Sequence, residues 1–289
     1  MQRNPFTGMA VPGASPEQEA TGGEDELDVD RAWEMLTAMA RGASAGRPQT
    51  FHPPARISEA AAQLLDLMLP LCLGDRASRL VVAHLGQTLD GRVATPTGAS
   101  QFITGQEDLC HTHRLRALCD VVLVGAQTVF HDDPRLTTRL VKGRSPVRAV
   151  LDPRARLSST HKVFCDGAVE TLWIVGRDDR QVQRPAAHVQ VLRIRSEGGL
   201  LDLKELLSCL RQRGLARVFV EGGGVTVSRF IAEKLLDRLH LAVAPRIIGS
   251  GVPALSLPPV DQLCEILPVE SRRFDLGQDT LFDCNLRPE

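Results

Sequence analysis

The residues with the most chemical potential lie in VLVGAQTVFHDDPRLTTR, Val122 to Arg139. Four apolar residues, Val121 to Val124, mark a buried strand. Gly125 breaks it, and a short polar–apolar mix comes next. Thr128, Asp132, Asp133, Arg135 and Arg139 then crowd together just beyond the strand. In α/β sheets, ligands bind outside the C-terminal ends of strands. A carboxyl group placed there can relay protons. Arginine forks match phosphate oxygens with two parallel hydrogen bonds, although a single arginine is more often a solvated surface residue. Arg116, on the segment before the strand, adds another cation.

A second stretch, VFVEGGGVTVSRF, runs a strand to Glu221, then three glycines, then a helix. Glycines let a ligand approach the backbone, and a helix N-terminus offers free N–H groups and a positive dipole end. That combination suits a pyrophosphate, and a plain strand–helix turn would read the same way. The spacing is neither GxGxxG nor a Walker A loop. A third stretch, LGQTLDGRVATPTGASQFITG, holds the turn signal Asp90-Gly91 and a cluster of small hydroxyl and amide residues: Gln87, Thr88, Ser100, Gln101 and Thr104. His111 and His113 stand two apart on a helix, so they face different ways. With no acid or cysteine at useful spacing, they read as surface histidines rather than metal ligands. The HxE and PCxxC pair of zinc deaminases is absent, as is a GxSxG elbow.

These residues need elements to position them. VDRAWEMLTAMA (Val29 to Ala40) has the spacing of an amphipathic helix. Ser58 is placed to cap a second helix running through Met68. Strands are expected at LVVAHLGQT, DVVLVG, VRAVLD, TLWIVG, VQVLRI, RVFVE and DRLHLAVA, with a short one after Asp90-Gly91. Helices are expected at Gln106 to Cys119, at LDLKELLSCLRQRG closed by Gly214, and at VTVSRFIAEKLL. The tail reads as two strands about a turn at Gly277-Gln278. Alternating strands and helices imply βαβ units and a largely parallel sheet.

Composition narrows the class. The chain has 289 residues, 43% of them hydrophobic, enough for a sizeable core. A net charge of -1 argues against a general nucleic-acid binder. The seven cysteines are irregularly spaced, and no secretory N-terminus is visible, so reduced thiols and a cytoplasmic setting are expected. The longest apolar run, Ala61 to Leu73, is interrupted by Asp66 and Pro70 and is too short to span a membrane. Residues 1–27 are polar, acidic and rich in Gly and Pro, which predicts a disordered tail. Residues 28–78 form a helical extension, expected to be dispensable for chemistry, with its apolar faces packed on the core or at a subunit interface.

Taken together, TLDGRVA, SQFITG, HRLRALCDVVLVGAQTVFHDDPRLTTR, VRAVLD, VEGGGVTVSRF and LAVAPRIIGSG occur in the order found in riboflavin-biosynthesis pyrimidine reductases. The chain resembles that family from about Arg79 to Arg287, within a domain of residues 79–289. The resemblance implies a dihydrofolate-reductase-like α/β fold: a mixed, mostly parallel sheet flanked by helices, with an antiparallel C-terminal edge. It implies an NADPH-dependent oxidoreductase that reduces 5-amino-6-(5-phosphoribosylamino)uracil at C1′, through the opened imine, to the ribitylamino product. It also implies a homodimer. By resemblance, Asp132 relays protons or polarises the reacting group, and Glu221 is the carboxylate that meets the substrate. Ser100, Arg116, Leu136 and Arg139 fall where the family holds the substrate and its 5′-phosphate. Gln87, Phe102, Thr128, Asp132 and the run Gly223, Gly224, Val225, Thr226, Val227 and Ser228 fall on the cofactor side. Arg154 and Arg156, just after VRAVLD, are the candidates for the cofactor 2′-phosphate, with Arg177 as the fallback. The same two read equally as solvated surface charges. Phe102 stands where many members have Trp, and Gln87-Thr88 where many have Met-Ser. Two alternatives go with these departures: a reductase of the same fold for another pyrimidine- or pterin-like substrate, and a catalytically silent binding homologue. The joint presence of Thr128, Asp132, Arg139 and Glu221 speaks against silence.

Overall fold

The computed structural model describes residues 26–44, 51, 56–73, 79–100, 103–178 and 185–287. The expectation of a disordered tail therefore falls outside the described residues, apart from Glu26 and Leu27, and so does Phe102. Nine strands form the main sheet: β1 (Leu80–Thr88), β2 (Val121–Gly125), β3 (Val147–Leu151), β4 (Thr171–Gly176), β5 (Val189–Ile194), β6 (Arg217–Glu221), β7 (Arg238–Ala244), β8 (Glu270–Leu276) and β9 (Asp279–Asn285). Their spatial order is β8-β9-β7-β1-β6-β2-β3-β4-β5. The pairs from β7 through β5 are parallel; β9 runs antiparallel to both β7 and β8. This is the mixed sheet with an antiparallel C-terminal edge. The β8–β9 hairpin turns at Gly277, whose φ of 64° glycine adopts without steric cost.

Both faces of the sheet are covered, and the strands alternate accordingly. Val81, Ala83, Leu85, Val121, Leu123, Val218 and Val220 share one apolar cluster with Leu203, Leu206, Leu207, Leu210, Val227 and Phe230. These last come from helices α6 (Leu203–Gln212) and α7 (Gly224–Ala232). Val82, Val122, Val124 and Phe219 point the other way, into a cluster with Leu115 and Leu118 of α3 (Gln106–Leu118). Asp202 caps α6 by accepting from the Lys204 and Glu205 N–H groups, and Gly214 comes just after the helix with φ 79°.

The N-terminal extension belongs to that second cluster. Helices α1 (Val29–Ser44) and α2 (Glu59–Cys72) contribute Trp33, Leu36, Leu64, Leu65, Met68 and Leu71 to the same continuous core as Val82 and Phe219. Ser58 caps α2, accepting from the Ala61 N–H. Polar ties fasten the helices as well. Buried Arg217 of β6 donates to the Ala40 and Cys72 carbonyls at 2.7 and 3.2 Å. The Trp33 indole donates to the Lys142 carbonyl at 2.7 Å. Of the two placements expected for the extension, the structure has the helices on the core.

After β2 the chain departs from the expected polar–apolar mix. Residues Ala126–Asp132 form a short helix, α4, whose only buried residue is Val129. Asp133 ends it in the left-handed region with φ 39°, and its N–H donates to the Val129 carbonyl. Pro134 cannot continue a helix, so the stop is sharp. Asp132 thus sits on the last turn of a helix rather than at the end of a strand.

Candidate active site

The C-terminal ends of β1, β2 and β6 lie side by side, and most of the expected site residues gather there. Glu221 closes β6. Both its oxygens accept from the Arg116 fork of α3, at 2.7 Å from Nε and 2.5 Å from Nη2. Arg116 is buried and also donates to the Thr137 carbonyl at 2.9 Å, so its fork fixes the loop after α4 as well as the carboxylate. Two residues expected to meet substrate separately therefore form one unit. Burial alone would pull the guanidinium down, but Glu221 outweighs it and holds Arg116 above its ordinary value.

Arg139 extends from the same loop. Its Nη1 donates to Thr137 Oγ1 at 2.8 Å and to the Thr137 carbonyl at 3.3 Å. Partial desolvation and then the neighbouring charges of Arg116 and Arg135 press its pKa down. A guanidinium crowded by like charge is stabilised by an incoming anion. The Arg139 backbone N–H donates to His113 Nδ1 at 2.8 Å. Desolvation, Arg116 and Arg139 depress His113 to about 4, so the ring is neutral and its Nδ1 can accept. Leu136 is buried, with φ 56°, and carries the loop inward past Arg116.

The two adjacent acids differ completely. Asp133 accepts from the Lys162 N–H at 2.8 Å and lies 3.3 Å from its ammonium, which staples α4 to the short helix α5 (Lys162–Cys165). Asp132 has no hydrogen-bond or ion-pair partner among the described residues. Desolvation raises its pKa, with His131 opposing. Below them, buried Arg148 of β3 donates to Thr171 Oγ1, Asp166 and the Arg135 and Val169 carbonyls, which locks the floor of the loop.

The glycine turn meets α4 directly. A Cβ on Gly125 would lie 2.9 Å from Thr226 Oγ1, and one on Gly223 would lie 3.3 Å from Thr128 Oγ1. Gly222 and Gly223 have φ of 71° and 73°. A Cβ on Gly224 would fall 2.2 Å from the Ala254 carbonyl, so a side chain is excluded there. Val225, at the first turn of α7, is 72% exposed, whereas Val227 and Ser228 are buried. The Ser228 hydroxyl accepts from the Ser256 N–H at 2.8 Å and so holds the segment beyond β7. Gln87, on β1, is half-buried, and so is Ser100. Bare backbone, two threonine hydroxyls and an exposed helix N-terminus suit the phosphates of a dinucleotide. Arg154 and Arg156 are exposed beyond β3, on a loop tied down by Asp152, which accepts from the Arg156 and Leu157 N–H groups. Arg177 is ion-paired with Glu205.

The expectation of surface histidines is overturned. His111 and His113 are both buried. They do face different ways, but α3 is covered on both sides: His113 meets the Arg139 loop, and His111 Nε2 lies 2.9 Å from His240 Nδ1. Sequence spacing along α3 held no sign of this, because the partners come from loop and sheet. Asp90 is structural, accepting from Thr88 Oγ1, Ile248 N–H and Gly249 N–H, contacts that lower it to about 2.

This arrangement has relatives. Residues 79–278 match the RibD C-terminal domain. The chain belongs to that family. It is 34% identical, over 72% of its length and 98% of the relative's, to the 2,5-diamino-6-ribosylamino-4(3H)-pyrimidinone 5′-phosphate reductase of Methanothermobacter thermautotrophicus. It is 35% identical to the riboflavin biosynthesis protein RibD of Aquifex aeolicus over 67% of this chain and 54% of that protein. The chain thus spans nearly all of the archaeal relative and about half of the RibD protein. Among solved structures, the Thermotoga maritima deaminase/reductase superposes with a TM-score of 0.64 at 24% identity, covering 80% of this chain and 64% of that one. The yeast riboflavin biosynthesis reductase Rib7 gives 0.64 at 21%, covering 79% and 100%. These two share the fold of this RibD C-terminal domain protein.

Proposed function

We propose that this chain is an NADPH-dependent reductase that converts 5-amino-6-(5-phosphoribosylamino)uracil to its ribitylamino product in riboflavin biosynthesis. The observation that carries the reading is the placing of Arg139 beside the Arg116–Glu221 pair at the end of the sheet from which α4, the helix that carries the solvent-facing Asp132, departs. Glu221, held by the Arg116 fork, offers its remaining lone pairs to the pyrimidine or ribityl hydroxyls. Arg139 takes the 5′-phosphate, with Ser100 and Leu136 beside the substrate. NADPH, when bound, would supply a hydride to C1′ of the opened imine. Asp132, on the last turn of α4, is the group that would pass a proton to the substrate nitrogen as C1′ is reduced. The residues that would hold the cofactor are Gly223 and Gly224, Thr128 and Thr226, the first turn of α7, and Gln87. Phe102 is a stacking candidate, and Arg154 and Arg156 suit the 2′-phosphate.

A second substrate reading has its own support. The chain spans 98% of an archaeal relative named for the 2,5-diamino pyrimidinone. The alternative substrate therefore carries a 2-amino group in place of the 2-oxo group. Following NADPH oxidation with each compound decides between them: a clear kcat/KM preference names the substrate, and oxidation with neither overturns the reductase reading. We further propose a cytoplasmic homodimer. Among the described residues no helix is long and apolar enough to cross a membrane. Leu257, Val260, Leu263, Ile266, Leu267 and Val269 expose apolar side chains along one segment, which a second copy would cover. Sedimentation of the purified protein tests this, and a monomer at micromolar concentration rejects it.

A further inference from the structure

A row of polar side chains crosses the α3 face of the sheet. The register places Arg272 of β8 beside Asp283 of β9, Asp283 beside His240 of β7, His240 beside His84 of β1, and His84 beside Glu221 of β6. Helix α3 lies over the row and contributes Asp108, His111 and Arg116. Asp283 accepts from Arg238 at 3.0 and 2.7 Å and from Arg272 at 2.8 Å. His240 Nε2 lies 3.3 Å from Asp283, and its Nδ1 faces His111 at 2.9 Å. One N–H between the two rings suffices, so His111 and His240 are neutral, as burial also favours.

His84 differs from them. Its Nδ1 is 3.0 Å from the His240 carbonyl, which can only accept. Its Nε2 is 3.2 Å from Asp108 Oδ2 and 3.0 Å from Oδ1. An ionised carboxylate can only accept as well, so both ring nitrogens must carry hydrogen. His84 is buried, and so is Asp108. Burial opposes the charge, but Asp108, the His240 carbonyl and Glu221 together outweigh it and raise the ring's pKa.

We infer that His84 is a positioning residue for Glu221: an imidazolium locked by Asp108 and the His240 carbonyl, it borders the carboxylate on the β1 side while Arg116 holds it on the α3 side. The inference rests on the reading of Glu221 as the substrate-binding carboxylate, and the site uses His84 only through Glu221. A carboxylate held between two fixed cations keeps one orientation while substrate enters and leaves. A merely satisfied core histidine would have no such influence.

Nitrogen NMR of the wild-type protein labelled at histidine reads the charge directly. The expected result is a His84 ring with both nitrogens still protonated above the ordinary histidine pKa of about 6.5. In Glu221→Gln, that titration should move to lower pH, because the coupling is reciprocal. A singly protonated His84 at neutral pH, or a titration unchanged in Glu221→Gln, overturns the inference whatever the enzyme's substrate proves to be. In activity, His84→Gln keeps a donor for Asp108 but loses the charge. It should raise KM for the pyrimidine substrate about tenfold with kcat little changed and NADPH affinity intact. His84→Lys, which restores the charge, should recover most of the loss. An unchanged KM in His84→Gln, or a loss in kcat alone, counts against the role. Failure of every variant and of the wild type to turn over substrate would strike the reductase reading and leave the NMR result to decide this one.

Discussion

At the residue scale, neighbours of the same type have separate jobs. Asp133 is engaged by Lys162, whereas Asp132 faces solvent with no hydrogen-bond or ion-pair partner among the described residues. Asp132→Asn is therefore expected to bind NADPH nearly as the wild type does and to lose turnover by about a hundredfold or more, the usual cost of removing a positioned proton-transfer group. Steady-state kinetics with a cofactor titration checks it; near-normal turnover would make Asp132 structural. Arg139 and Arg116 divide in the same way. Arg116 is committed to Glu221, whereas Arg139 holds only its own loop and sits among like charges. Arg139→Ala should raise KM for the phosphorylated substrate by about tenfold or more. The dephosphorylated compound is the control, since an equal penalty on both would show that Arg139 does not hold the phosphate. His113 carries a pH prediction. Its folded pKa of about 4 lies below the unfolded value of about 6.5, so the unfolded chain binds the proton first. Stability is then fully present above about 6.5 and is lost as pH falls toward 4, by up to about 3 kcal/mol. His113→Asn keeps an acceptor for the Arg139 N–H but cannot titrate. Urea unfolding across that window should show a shallower acid slope in the variant; identical slopes would remove His113 from the account.

At the element scale, the site is built from the segments that leave the strand ends. Helix α4 after β2, the glycine turn after β6 and the Asp152-anchored loop after β3 all lie at the same end of a parallel sheet, because parallel strands deliver their C-terminal ends together. Arg154 and Arg156 sit on the β3 loop with no ion-pair partner among the described residues, while Arg177 is neutralised by Glu205. This favours the first two over the fallback for a 2′-phosphate. Replacing both with Ala should weaken NADPH by roughly 2–4 kcal/mol and leave NADH little changed. Titrating each cofactor against the wild type and the double variant settles it, and an equal loss for both cofactors rejects the assignment.

At the scale of the whole molecule, the N-terminal helices change their meaning. By sequence they are an extension that the chemistry does not need. In the fold they cover the α3 side of the sheet, share its core, and accept the donors of buried Arg217. Arg272 also reaches Asp66 of α2 from the edge strand, at 2.5 Å. A chain starting at Asp75 would strip the apolar side chains of α1 and α2 from the core they share with Val82, Leu115 and Phe219 and leave a buried guanidinium without two of its acceptors. The cost is several kcal/mol against a typical total of about 5–15. The expected outcome is aggregation or a steep fall in Tm, measured by scanning calorimetry. A soluble truncated protein with an unchanged Tm would show that the helices are only attached.

What the sequence determined by itself was local. Strand and helix placement came from period and punctuation: the apolar run before Glu221, the Ser58 cap, Gly214 after α6 and the Gly277-Gln278 turn are signals carried within a few residues. The motif from Val122 to Arg139 was legible as a candidate site for the same reason, since its polar residues crowd after an apolar run. Helix α4 was not legible, because it is seven residues long with one buried side chain and no side-chain cap. Nor was the burial of His111 and His113, or the pairing of Asp133 that sets it apart from Asp132, because the partners of His111, His113 and Asp133 come from distant segments. Glu221 and Arg116 are 105 residues apart and meet only because β6 inserts between β1 and β2 under α3. The row from Arg272 to Glu221 crosses five strands and exists only in one register. A slip of one residue in any pair would send a charged side chain to the opposite, apolar face. Which polar groups become neighbours is set by strand order and register, quantities that no single segment encodes.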